Sequence, residues 1–202
     1  WVSIEARSSC AALALNRPKD AIAGLEALLA EDKPSPELSQ SATYYLGLAY
    51  KADGQAEKAD AMLADLARSD TAPAAADAKL VVGFSHFEAK RYEDAAKAFA
   101  GYLDTRPKGD DAARALAYLA LARQELGQAD AAKEALDRLA KDFPKSDALP
   151  RARLILAESA LENKRFDDAA SLFRPVAEGD DPKWKARGLS GLGWSLFQGN
   201  HP

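Results

Sequence analysis

Residues Lys90–Pro107 read KRYEDAAKAFAGYLDTRP, and this stretch decides the fold. An aromatic, Tyr92, opens the run. Glu93 and Asp94 follow, in the first turn of a helix, where the dipole favours acids. Small Ala95 comes next, large Phe99 lies four residues on, and Pro107 ends the run. The stretch reads as the second helix of a helical hairpin. It recurs at Lys164–Phe173 as KRFDDAASLF, with weaker copies at Gly127–Pro144, Gly54–Arg68 and Pro18–Glu31. The central alanines fall at Ala21, Ala59, Ala95, Ala132 and Ala169, in steps of 38, 36, 37 and 37. A fixed period in this range marks a repeat array. Each unit of such an array buries its apolar face on its neighbours.

Working outward, the period predicts hairpins over residues 1–31, 36–68, 74–105, 111–142 and 148–178, then an orphan helix over 182–198. The first helix carries apolar Val2, Ile4, Ala6, Cys10, Leu13 and Leu15 at helical spacing. Asp32–Ser35 reads as a loop. Ser35-Pro36-Glu37 and Asp181-Pro182 are helix starts, with a capping oxygen followed by proline at the first helical position. Asp53-Gly54 and Gly127 mark turns. No alternating strand pattern occurs. The expectation is an all-α single array over 1–202, in a right-handed α-solenoid of antiparallel hairpins.

Composition narrows the function. In 202 residues, 27 Lys and Arg face 31 Asp and Glu, for a net charge of −4. That balance disfavours nucleic acid, which needs a basic face. No run approaches the roughly 18 apolar residues of a membrane span. The one cysteine, Cys10, excludes an intrachain disulfide and any CxxC site. The chain starts at Trp1 inside a helix and stops just after another. Both ends therefore read as cut, and a leader or lipid anchor would lie outside this window.

The first helices carry a second pattern: Leu46-Gly47-Leu48-Ala49-Tyr50, Val82-Gly83 with His86 and Phe87, and Leu192-Gly193-Trp194 with Phe197. Leu119-Ala120 and Leu156-Ala157 keep its size profile. Together with the alanine–aromatic–proline pattern of the second helices, this resembles the tetratricopeptide repeat family. The resemblance implies a superhelix whose small residues (Gly47, Gly83, Ala120, Ala157 and Gly193) oppose the periodic alanines. Leu25, Leu63, Phe99, Leu136 and Phe173 would fill the space toward the next repeat. Two features depart from the family: the period exceeds 34, and Leu28, Leu66, Tyr102, Leu139 and Val176 stand where the family has Ala. Longer first helices and links such as Phe143-Pro144-Lys145-Ser146 resemble the repeats of bacterial cell-envelope proteins, of the outer-membrane assembly lipoprotein and Tol–Pal-associated type. That leans the location toward a bacterial periplasm or envelope, with the cytoplasm as the alternative.

No catalytic constellation emerges. His86 falls where the family places Tyr and reads as packed. His201 has no partner in sequence, and Cys10 lies on an apolar stripe. The acid pairs Asp110-Asp111, Asp167-Asp168 and Asp180-Asp181 stand at helix starts and point about 100° apart, so they do not converge. Gly188, Gly191 and Gly193 lack the G-x-G-x-x-G spacing and a preceding strand, and read as close-packing positions. Hence no catalytic residue, cofactor or metal is expected.

The resemblance implies instead a ligand on the concave face of the first helices. Residue by residue, that face offers Tyr44, Leu48 and Lys51, then Leu80, Phe84 and Glu88, then Ala117, Leu121 and Gln124. Arg151, Leu154, Glu158 and Leu161 follow, with Trp194 last. Leu80 and Leu154 are as well suited to packing between helices. Some family members clamp a terminal carboxylate with Lys, Asn and Arg. Tyr44, Leu48, Leu80, Val81 and Phe84 occupy those positions here, so the clamp is absent. The function expected is a non-enzymatic scaffold for a protein or peptide partner. The alternatives are a docking module of a larger enzyme and a structural element of an envelope assembly. The apolar last helix adds an expectation of self-association.

Overall fold

A computed structural model describes residues 4–30, 35–69 and 74–199, with side chains from residue 8. Among them are eleven helices and no strand: α1 (Ile4–Ala14), α2 (Pro18–Leu29), α3 (Pro36–Ala52), α4 (Ala56–Ala67), α5 (Ala75–Glu88), α6 (Tyr92–Thr105), α7 (Asp110–Glu125), α8 (Ala129–Asp142), α9 (Ala148–Glu162), α10 (Phe166–Ala177) and α11 (Pro182–Gln198). The chain is all-α, of the α-solenoid class built from antiparallel hairpins. It divides into two compact units, Trp1–Lys90 and Arg91–Pro202. The division falls inside the expected third hairpin, so α5 belongs to the first unit and α6 to the second. Val2, most of the Asp32–Ser35 loop and His201 lie outside the described residues.

Local chemistry sets the helix ends. Ser35 Oγ accepts the Leu38 N–H at 3.2 Å, and Asp181 Oδ1 accepts the Lys183 N–H at 2.9 Å, each just before a proline. Asp110 and Asp111 lie in the first turn of α7, and Asp167 and Asp168 in that of α10, as dipole partners. The hairpin turns share one device. Asn16, Gly54, Lys90, Gly127 and Lys164 all have φ between 56° and 80°, at the same step as the periodic alanines. At four of the five the next residue closes a six-residue bond: Arg17 N–H to Ala12 O at 2.8 Å, Gln55 to Tyr50 at 2.9 Å, Gln128 to Arg123 at 2.9 Å, Arg165 to Ala160 at 2.8 Å. Glycine made two of these turns readable in sequence. The three with Asn or Lys carried no such mark.

The small–large rhythm becomes the core. All five periodic alanines are buried, as are Leu25, Leu63, Phe99, Leu136 and Phe173. In the first unit, Leu25, Leu28, Ala42, Leu46, Tyr50 and Ala59 form one cluster, and Leu63, Leu66, Ala74, Ala75, Ala78 and Val82 another. In the second, Leu154, Ala157, Ala160, Ala169, Phe173 and Val176 pack together, joined by Trp184 and Leu192 of α11. Each such Leu or Phe contributes about 1.5–3 kcal/mol by leaving water.

Two close-approach expectations need correction. The nearest atoms to a Cβ on Gly47 are those of Leu63, with its Cγ at 2.6 Å, where Ala59 was the expected neighbour. Gly193 is exposed and faces open space. The tight glycines of α11 are Gly191, against the Phe173 ring at 2.4 Å, and Gly188, against the Ala177 backbone at 2.6 Å. The reason is the partner: α11 packs on α10, which precedes it, so its small residues are those that face back along the chain.

Candidate functional site

The first helices of each unit present a face with a repeated register. Counting from the small residue, Leu48, Phe84, Leu121, Glu158 and Trp194 each come one position later.

In the first unit, α3 and α5 carry the half-buried Leu48 and Phe84. Lys51 joins these helices: its Nζ donates to Ser85 Oγ at 2.9 Å and lies 3.8 Å from the exposed Glu88. Tyr44 leans on the Leu63–Val82 cluster and stacks edge-on with Tyr45 at 5.4 Å. Leu80 is buried.

In the second unit, α7, α9 and α11 form the face. Gln124 Nε2 donates to Ser159 Oγ at 3.3 Å. This repeats the Lys51–Ser85 contact in the same register, a polar rung from one first helix to the next. At the following step Leu161 replaces the donor and packs on the Phe173 cluster, while the fully buried Ser195 donates back to Gly191 O at 2.7 Å. The serines Ser85, Ser159 and Ser195, each two residues after a small residue, were visible in sequence but not recognised as rung positions. Glu158 accepts from Arg187 Nη2 at 2.7 and 3.0 Å and from its Nε at 3.0 Å, and Asp147 pairs with Lys183 at 3.2 Å. Arg151 is exposed.

Leu121 is a correction. It is 8% exposed and belongs to the interior, as do Leu154 and Ala117. At the same register position Leu48 and Phe84 remain partly open. Trp194 is 55% exposed and tilted against Phe197 at 5.8 Å, with Leu189 also open on α11.

The groups that could suggest chemistry are placed otherwise. Burial pushes the Cys10 thiol above its ordinary pKa, which disfavours the thiolate. His86 is half-buried on α5. Among the described residues, no group of three His, Cys, Asp or Glu side chains could hold a metal, and no helix is long and apolar enough to cross a membrane. Also in the second unit, α8, α9 and α10 line a cleft of about 460 Å³ that includes Arg153.

A family model described as tetratricopeptide repeat matches residues 7–59, 46–110 and 119–182. No curated protein matches. Many solved structures share the fold, among them three from different bacteria. A tetratricopeptide repeat protein from Parabacteroides merdae has a TM-score of 0.74 at 15% identity, covering 97% of this chain and 72% of that one. MamA from Desulfovibrio magneticus has a TM-score of 0.69 at 19% identity, covering 88% and 96%. A thermophilic TPR protein of Thermus thermophilus has a TM-score of 0.55 at 20% identity, covering 93% and 97%. At such identities the likeness concerns the fold alone. The family matches take in well over half of the residues, and the chain belongs to the tetratricopeptide repeat family.

Proposed function

We propose that this chain is a non-enzymatic protein-interaction scaffold that holds an extended or helical protein segment on the face of its first helices, in a groove of the kind the family implies. One observation carries the reading. Leu48, Phe84 and Trp194 share one register position and remain partly or largely open, and aromatic side chains that a partner can desolvate are the usual anchors of an interface. Leu121, at the same register, is interior, and Glu158 is held by Arg187, so the anchors narrow to those three. Lys51, Glu88, Gln124, Arg151 and Glu158 supply mixed polarity that sets register more than affinity. Hairpins acting as one array over 1–202 are part of this reading.

The test is capture of a partner from a lysate, followed by substitution. Phe84→Ala should weaken binding more than Lys51→Ala, by about 1–2 kcal/mol for a buried anchor, with circular dichroism showing both variants folded. Added salt should weaken binding only modestly. A partner that survives Phe84→Ala and Trp194→Ala but is lost at moderate salt would move the interface to a charged surface elsewhere.

The step of 36 to 38 residues and the ordered Phe143–Ser146 link support a finer place among bacterial envelope repeat proteins. In that link the Ser146 N–H donates to Phe143 O at 3.1 Å. An export signal with a lipid-attachment cysteine in the full reading frame would bear this out. A fused catalytic domain would make the array an enzyme's docking module instead.

A further inference from the structure

The cleft on the second unit is walled by Leu136 of α8 and Leu172 of α10, with Leu156 of α9 beneath. Its volume, about 460 Å³, lies within the roughly 300–1,000 Å³ usual for ligand sites. Two groups there lack an ordinary partner within the fold, one a side chain and the other a helix carbonyl without its i+4 N–H.

The first is Arg153. Of the other basic groups lining the cleft, Lys133 pairs with Asp137, and Arg165 with Asp168 at 3.6 Å. Arg153 has no hydrogen bond and no ion pair among the described residues. It is half-buried, and desolvation pushes its pKa down against the weaker pull of the Asp137 charge. The guanidinium stays charged nonetheless, and a partly desolvated charge without a partner is unfavourable. The second is the Ser171 carbonyl. Pro175, one turn later in α10, has no N–H to give it, and both residues line the cleft.

The first unit supplies a contrast. A groove of about 470 Å³ is lined there by Thr43, which holds the register position of Arg153, four residues before the small residue. Thr43 Oγ1 already donates to Ser39 O at 2.8 Å, and the cation of that groove, Lys58, is exposed and lies over the Tyr50 ring at 5.2 Å.

We propose that the α8–α10 cleft binds a peptide segment through an Asp or Glu side chain set against Arg153. An adjoining leucine-sized side chain then lies between Leu136 and Leu172, and a backbone N–H of the segment meets the Ser171 carbonyl. The walls lie on the second helices α8 and α10, with Arg153 and Leu156 on the first helix α9 between them, and of the first-helix face residues only Gln124 also lines the cleft. Charge complementarity selects the occupant. Asp130, Asp137 and Asp168 around the rim repel a multiply charged anion such as phosphate, whereas a single carboxylate flanked by apolar groups matches one unpaired guanidinium in an apolar channel. A side-chain clamp on a chain terminus needs several free donors, whereas here Lys133 and Arg165 already hold Asp137 and Asp168 and only Arg153 is left.

The probe is the pentapeptide acetyl-Ala-Leu-Glu-Leu-Ala-amide, titrated into the isotopically labelled chain by NMR. It should shift the Arg153 Nε–H and the Leu136 and Leu172 methyls saturably. The Gln analogue should bind about tenfold more weakly or worse, as expected for a lost charge-assisted bond. Arg153→Gln should abolish the preference for Glu over Gln, while Arg153→Lys should keep part of it. The Glu-against-Gln comparison on the unaltered chain decides the matter even if a variant fails to fold. Equal affinity for the two peptides, absence of saturable shifts at the cleft, or tighter binding of inorganic phosphate or of acetyl-Ala-Leu-Leu with a free carboxyl terminus would each overturn the proposal.

Discussion

Gly188 of α11 lies against the backbone of Ala177 at the end of α10, so close that a Cβ on residue 188 would stand 2.6 Å from the Ala177 nitrogen. Backbone cannot rotate aside as a side chain can. Gly188→Ala should therefore cost about 1–3 kcal/mol through overpacking. Gly193, in the same helix, faces open space, and Gly193→Ala should gain up to about 1 kcal/mol from helix propensity. Urea titrations of the two variants check this, and shifts of the same sign would show that α11 is docked otherwise.

Ala132 is 2% exposed at the heart of its hairpin, while its neighbour Lys133 stands in solvent beside Asp137. Ala132→Leu should cost roughly 1–3 kcal/mol, and Lys133→Leu no more than about 0.5 kcal/mol. Equal losses in a denaturant titration would mean that the alanine register is misplaced.

The turns at Gly127 and Lys164 have the same left-handed backbone, with φ of 71° and 56°. For a residue with a Cβ this conformation costs about 1–2 kcal/mol, whereas glycine loses about 0.5–1 kcal/mol more backbone freedom on folding. Lys164→Gly should therefore be neutral or stabilising, and Gly127→Ala destabilising by about 1 kcal/mol. Differential scanning calorimetry of both variants is the check. A clear loss for Lys164→Gly would give the lysine side chain a role the turn does not explain.

Tyr50 Oη on α3 donates to Glu26 on α2. That bond, then burial and the Glu26 charge, raise the phenol above its ordinary pKa, and Tyr92 is raised by burial and by Glu125. A pKa raised in the folded state stabilises fully below the unfolded value, near 10, and the gain is lost as pH climbs through the folded value. Stability should thus fall on the alkaline side, and less steeply once both tyrosines are replaced by Phe. Urea midpoints from pH 8 to 11 test it; identical slopes for the two proteins would refute the assignment.

The helices and the family were legible in the sequence because their signals are local. A cap such as Ser35, a proline at the first helical position and a small–large pair four residues apart act within one or two turns. Repetition at 36 to 38 residues then tells the same story five times. Which face of each helix is covered depends on partners farther along the chain, and there the tertiary structure decided. It buried Leu121 while leaving Leu48 and Phe84 partly open. It kept Gly188 and Gly191 of α11 as close-contact positions but left Gly193 open, and placed left-handed turns on Asn16, Lys90 and Lys164, whose side chains do not announce them. It also left Arg153 in a cleft whose walls lie on α8 and α10, one before and one after its own helix. Periodicity names the residues that can pack; only the assembled neighbours determine which of them do.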